Sequence, residues 1–209
     1  GLDRRALEYL LAARSAMDPD AEVAEVSRLG AKIVTWDEAD YPPQLKSIAA
    51  PPPLLYIKGA FAPADQWAIA VVGTRRASAY GREVTRTLVT DLVRNRVTIV
   101  SGLARGIDTV AHAAALKSGG RSIAVIGSGI DIVYPPENHA LAQRISKSGA
   151  LVSEFEMGAK PDAGNFPRRN RIISGITLAT LVVETGVDGG AMITASSALD
   201  QNREVFAIP

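Results

Sequence analysis

The chain has 209 residues, 47% hydrophobic and 22% charged, an ordinary globular composition that excludes a disordered or fibrous protein. It has no cysteine and two histidines, which excludes disulfide scaffolds, thiolate zinc sites and cysteine nucleophiles and disfavours a multi-histidine metal site. Its 23 Lys and Arg against 22 Asp and Glu leave a net charge of +1, so the molecule is not basic overall.

Residues 3–15 read as a helix, with Leu7, Leu10 and Leu11 at helical spacing. A second helix has Asp18 as cap, Pro19 in its first turn and Gly30 as its stop. Two short helices make too little core to stand alone, so residues 1–40 read as the remnant of a small helical domain with a linker. Tyr41-Pro42-Pro43 and Pro51-Pro52-Pro53 follow as a stiff connector, because proline fixes its own backbone and extends the residue before it. Residues 41–209 form the main domain.

From residue 54 the pattern alternates. Apolar, β-branched runs occupy 67–72, 97–100, 121–126, 150–153, 178–183 and 204–208. Helical stretches lie between them at 79–94, 107–117, 138–147, 168–175 and 191–201. Strands apolar throughout and separated by helices predict a doubly wound, mostly parallel α/β sheet covered on both faces. No apolar run reaches the ~18 residues of a membrane span. With no signal peptide, the sequence reads as cytoplasmic. Because it stops on the heels of an apolar strand, it also reads as a piece of a longer protein.

Charge is uneven along the chain. Residues 1–65 are net −3, residues 66–121 net +6 and residues 122–209 net −2. Arginine supplies 17 of the basic residues. Its planar fork of donors suits phosphate, and it stacks on bases.

In doubly wound folds ligands bind beyond the carboxyl ends of the strands. Four such loops carry glycine: Gly73-Thr74-Arg75-Arg76, Ser101-Gly102-Leu103-Ala104-Arg105-Gly106, Gly127-Ser128-Gly129, and Gly189-Gly190 beyond Glu184. Tight strand-to-helix turns need glycine anyway, so each alone is a weak signal. Four at one sheet edge, with Arg75, Arg76 and Arg105 among them, point to phosphate or a nucleic-acid backbone. There is no GxxxxGK[ST] and no GxGxxG, which disfavours a P-loop nucleotidase and a nicotinamide enzyme. No cofactor is implied. Phe166 precedes Pro167, Arg168, Arg169, Asn170 and Arg171. An aromatic beside arginines suits single-stranded nucleic acid. Asp108 and His112 share a helix face and read as packing rather than an acid–base pair. Glu184 is a lone candidate base without a partner, so no catalytic residue is assigned.

The stretches VVGTRRASAYG (71–81), IVSGLARGIDTVAH (99–112), IAVIGSGIDIVYPPEN (123–138), LVSEF (151–155), FPRRNRIISG (166–175), LVVETGVDGGAMITA (181–195) and VFAIP (205–209) together resemble the DNA-processing protein A family, also called DprA or Smf. YPPQLKSI (41–48) and PPPLLYIKG (51–59) resemble its lead-in. The resemblance implies an extended Rossmann-like domain that binds single-stranded DNA as a homodimer. It implies delivery of incoming DNA to the RecA recombinase, past the single-strand-binding protein, during natural transformation, without catalysis. The arginine of the family's VGxR loop maps onto Arg75. Its FPxRNR phenylalanine maps onto Phe166, with Arg169, Asn170 and Arg171 beside it. Ser101, Gly102 and Arg105 carry the second loop.

Two positions depart from the family pattern. Pro136 stands where some members have lysine, which leaves Arg76 or Arg168 to supply that charge. Asp188 enters a turn that is usually SGS-like, where it would repel phosphate. An alternative keeps the fold but makes it a nucleotide or phosphoribosyl hydrolase. Such hydrolases carry a PGGxGT loop followed by glutamates, and ETGVDGGAMITAS (184–196) has none after its glycines. A third reading is a protein-docking scaffold with purely structural loops.

Overall fold

The computed structural model describes residues 3–16 and 18–209. Helices α1 (Arg4–Ala16) and α2 (Pro19–Arg28) open the chain. Asp18 caps α2 as expected, accepting from the Ala21 amide at 3.1 Å, and Gly30 ends it at φ 67°. Leu7 and Leu11 of α1 stay about half exposed, and the side chain of Leu10 lies outside the described residues.

Two strands follow that the sequence reading did not separate out. These are β1 (Ala31–Thr35) and β2 (Leu54–Gly59), paired antiparallel with Thr35 opposite Leu54. Strand β1 precedes residue 40, so the sheet begins ahead of the expected boundary. Between them the proline-rich segment is packed rather than free. It forms the one-turn helix α3 (Pro43–Lys46) and buries Tyr41, Leu45 and Ile48, while the Tyr41 hydroxyl donates to the Pro52 carbonyl at 2.7 Å.

The rest alternates as predicted: β3 (Ala68–Val72), α4 (Ala79–Arg94), β4 (Thr98–Ser101), α5 (Ile107–Lys117), β5 (Ser122–Val125), α6 (His139–Ser148), β6 (Ala150–Ser153), α7 (Asn165–Gly175), β7 (Ala179–Val182), α8 (Gly190–Asp200) and β8 (Glu204–Ala207). The eight strands run in the order β1-β2-β6-β5-β4-β3-β7-β8. Only the β1–β2 and β2–β6 pairs are antiparallel. Helices α4, α5 and α6 cover one face and α7 and α8 the other. The strands are apolar throughout because both faces are buried. Val71 packs under α4 and α5, while Ala70 and Val72 pack with Ile172, Ile173 and Ala195.

From β3 the chain winds one way through β4, β5 and β6, then returns to add β7 and β8 on the other side. The switch point therefore lies between the carboxyl ends of β3 and β7, where such sheets open a crevice.

At the opposite end one buried carboxylate ties the strands together. Asp65 accepts from Arg121 Nε and Nη2, each at 2.8 Å, from the Thr98 hydroxyl at 2.8 Å and from the Ala62 amide at 2.8 Å. Removing one partner of a buried pair leaves an uncompensated charge, at a cost of about 3–5 kcal/mol. Arg121→Met is expected to lower the melting temperature by roughly 10 °C in a thermal unfolding scan. A shift within a degree or two of zero would show that Asp65 does not need this partner.

Candidate nucleic-acid interface

Four loops converge on the switch point. At the end of β3, a Cβ on Gly73 would stand 2.5 Å from Ile107 Cγ1 and 3.0 Å from the Glu184 carbonyl. Glycine therefore lets this loop lie against α5, and the Thr74 amide donates to the Glu184 carbonyl at 2.6 Å. Arg75 and Arg76 project outward from it. Glu184 is not free to act as a base. Its carboxylate accepts from the Ser78 amide and hydroxyl, each at 3.0 Å, and so anchors the cap of α4.

The loop after β4 takes two left-handed residues, Leu103 (φ 60°) and Gly106 (φ 76°). The Asp108 carboxylate closes it from inside, accepting from the amides of Gly102 at 3.1 Å and Ala104 at 3.3 Å. Gly102 also has a packing role. A Cβ there would fall 1.6 Å from Arg169 Nη1, so its bareness seats Arg169. Arg169 is only 4% exposed and donates through Nη1 to the Val125 carbonyl at 2.9 Å, while its Nε has no partner. Burial pulls its guanidinium down to about 10, opposed by neighbouring Asp108. It therefore stays charged at neutral pH. Burial pushes the Asp108 carboxyl up, opposed by Arg169.

Phe166 forms the aromatic wall. Gly127 lies behind it, where a Cβ would come within 3.0 Å of the ring. The Tyr134 ring lies 6.0 Å away, and the Arg75 guanidinium sits 5.2 Å over the Phe166 ring. These groups line a cleft of about 730 Å³, bounded across from Arg75 by the loop from Thr185 to Gly190.

The structure thus brings together Gly73, Arg75, Phe166, Arg169 and Asn170 in the cleft, with Gly102, Arg105 and Gly127 in the crevice adjoining it. Other expected residues have different employment. The buried Ser101 hydroxyl donates to the Val71 carbonyl at 2.6 Å. Gly129 makes room for the Glu156 carbonyl and Asp131, and its amide donates to the Ala159 carbonyl. Arg168 lies 5.2 Å over the Phe155 ring, and Arg171 pairs with the buried Glu154. Arg76 is exposed beside the cleft without lining it. Arg105 reaches the crevice but forms a two-pronged ion pair with Glu137, both side chains about half exposed. Pro136 starts the 3-10 turn that carries Glu137, so the loop that has lysine in some relatives presents an acid here. The sequence reading passed over Tyr134, whose signal was an aromatic ahead of Pro135 in the third loop. It also passed over Glu137 and Thr194.

Acid–base chemistry finds little here. The buried His112 Nδ1 lies 2.7 Å from the Ser122 hydroxyl, and burial lowers its imidazole to about 3. This is the packing role expected for it. Its folded value lies below the unfolded value of ~6.5, so its stabilisation is complete above that pH and declines as pH falls towards 3. Between pH 7 and pH 5 the expected loss is about 2 kcal/mol. Burial raises the Asp108 carboxyl, and this works in the opposite direction. Thermal scans at both pH values should show the fall in wild type and a flatter response in His112→Gln. Equal falls in both proteins would assign the effect elsewhere. No group of three or more metal-ligating side chains occurs among the described residues.

A doubly wound sheet with an arginine-flanked aromatic cleft at its switch point defines a Rossmann-like fold. The model of the family "DNA recombination-mediator protein A" matches residues 32–209, and the chain belongs to that family. It is 40% identical over 213 residues to Protein Smf of Synechocystis, covering all of this chain but 54% of that protein. The structure of DNA processing protein A from Streptococcus pneumoniae superposes with a TM-score of 0.84 at 38% identity, over 92% of this chain and 67% of that one. The Helicobacter pylori protein, whose structure is described as showing a single-stranded DNA binding mode, gives 0.77 at 30% identity, over 85% and 80%. The chain spans about half the length of the Synechocystis and Escherichia coli relatives that it matches.

Proposed function

We propose that this domain binds single-stranded DNA in the switch-point cleft, as a recombination mediator acting by binding rather than catalysis. The observation that carries the reading is the Arg75 guanidinium over the Phe166 ring, beside Tyr134, at the mouth of the cleft. A base can stack on the ring while arginine meets the adjoining phosphate, a combination that favours unpaired strands. The single-strand binding described for the H. pylori relative supports the same reading. In the whole protein, the bound strand passes to RecA during natural transformation, past single-strand-binding protein, in the cytoplasm and from a homodimer. Gly73, Arg75 and Phe166 form the contact surface, Arg169 and Asn170 support it from the cleft floor, and Arg76 extends it.

Fluorescence anisotropy of a labelled oligo-dT over a salt series tests this. Binding should weaken with salt as counterions are released, and duplex of equal length should compete poorly. Arg75→Ala should shorten the salt slope by about one and weaken binding about tenfold. An unchanged slope and affinity would remove Arg75 from the interface. Glu137→Gln frees Arg105 for phosphate, so affinity should rise about threefold and the slope should steepen by about one. No rise would show that Arg105 lies off the DNA path.

A further inference from the structure

The far wall of the cleft has its own anion-binding chemistry. Helix α8 starts at Gly190 with no side-chain cap. Among the described residues the amides of Gly190 and Ala191 have no hydrogen-bond partner, and both residues line the cleft. A Cβ at Gly190 would meet nothing within 4 Å, so the approach is open. Asn170 fixes this helix start by donating to the Gly190 carbonyl at 3.2 Å. One turn further on, Thr194 also lines the cleft. It is 2% exposed, and its hydroxyl has no hydrogen-bond partner among the described residues. Open helix-start amides beside the hydroxyl of a largely buried threonine that lines the same cleft form a cradle for phosphate oxygens. The aromatic pair Phe166 and Tyr134 stands in the same cleft, whose 730 Å³ exceeds what a bare phosphate fills and falls in the range that holds small organic ligands.

We infer that the cleft holds a nucleoside 5′-phosphomonoester, with its phosphate on the amino end of α8 and Thr194 and its base against Phe166 and Tyr134. This rests on the proposed DNA-binding reading of the cleft and gives it an end-group preference. A monoester carries up to two charges where an internal diester carries one, so the helix start favours it. Its source is a free nucleotide or the 5′-end of a strand. Asp188 at the lip opposes the anion, and so provides a variant that should gain affinity.

The test uses thymidine and dTMP in calorimetric titrations, then oligo-dT with a 5′-phosphate or a 5′-hydroxyl in anisotropy. Either dTMP binds about tenfold tighter than thymidine and displaces the labelled strand, or the 5′-phosphorylated oligo binds about tenfold tighter than its hydroxyl twin. The first result alone assigns free nucleotide as the source, and the second alone the strand end. The preferred ligand should weaken about fivefold in Thr194→Val and tighten about threefold in Asp188→Asn, an exposed position that tolerates the change. Absence of both preferences overturns the inference, as does a preference that neither variant moves. Oligo-dT binding without a phosphomonoester preference leaves the DNA reading standing and this one fallen. A dTMP preference without oligo-dT binding does the reverse.

Discussion

Phe166→Ala should weaken oligo-dT binding by roughly ten- to a hundredfold, because stacking one base on an aromatic ring contributes about 1–3 kcal/mol. The ring also seats the Arg75 guanidinium at 5.2 Å, so its removal loosens the phosphate contact as well. Phe166 is partly buried, so a thermal scan should show that the variant is folded at the titration temperature. Phe166→Trp keeps a π-face and should retain binding within about threefold. Measured by anisotropy at fixed salt, equal affinity in wild type and Phe166→Ala would place the bases elsewhere. Tyr134→Ala should lose less, since its ring stands 6.0 Å behind Phe166 without an arginine over it.

Gly106→Ala is expected to disturb the scaffold and the binding loop together. Gly106 sits at φ 76°, where an L side chain is strained by about 1–2 kcal/mol. Its added Cβ would also stand 2.2 Å from the Thr74 carbonyl oxygen and 2.7 Å from the Arg75 carbonyl carbon. Those atoms are backbone, so the Arg75 loop itself has to move. Overpacking of this kind adds about 1–3 kcal/mol, for a melting temperature lowered by roughly 10 °C. DNA affinity should fall about tenfold or more, because the displaced loop carries Arg75. Gly119→Ala is the matched control. It has a similar φ of 73° but nothing within 4 Å of the added carbon, so only the backbone term of about 1 kcal/mol applies. Equal losses in the two variants would show that the Gly106–Thr74 contact is not what holds the loop.

Where the sequence carried local physical signals, the structure followed them. Ser78 stands where a helix needs an accepting cap, and α4 runs from Ala79 to Arg94 as predicted. Runs such as AIAVV can be buried only between two helical layers, and β3 is so buried. The glycine loops gather at the carboxyl ends of the parallel strands, because strand-to-helix turns at a switch point need bare backbone. Strands β1 and β2 were harder to read. They form one margin of the sheet, β1 at its edge and β2 beside it, and the prolines between them read as a connector although Tyr41 and Leu45 are core.

The arginine cluster shows the other limit. Consecutive helical residues point about 100° apart. Helix α7 begins at Asn165, earlier than the arginines suggested. Arg168 therefore lies over Phe155, Arg169 beneath the cleft, Asn170 against Gly190 and Arg171 on Glu154. The groups that sort them, Gly102, Asp108 and Glu154, are distant in sequence. Only the folded chain shows which charges are spent inside and which are left at the cleft.

The central claim is that unpaired bases sit on Phe166 at the switch point. Photocrosslinking tests it most directly, with oligo-dT carrying 5-iodouracil and the adducts mapped by peptide mass spectrometry. The expected adducts fall on Phe166 and Tyr134. Adducts confined to Trp67, which is 62% exposed at the opposite end of β3, would contradict the account.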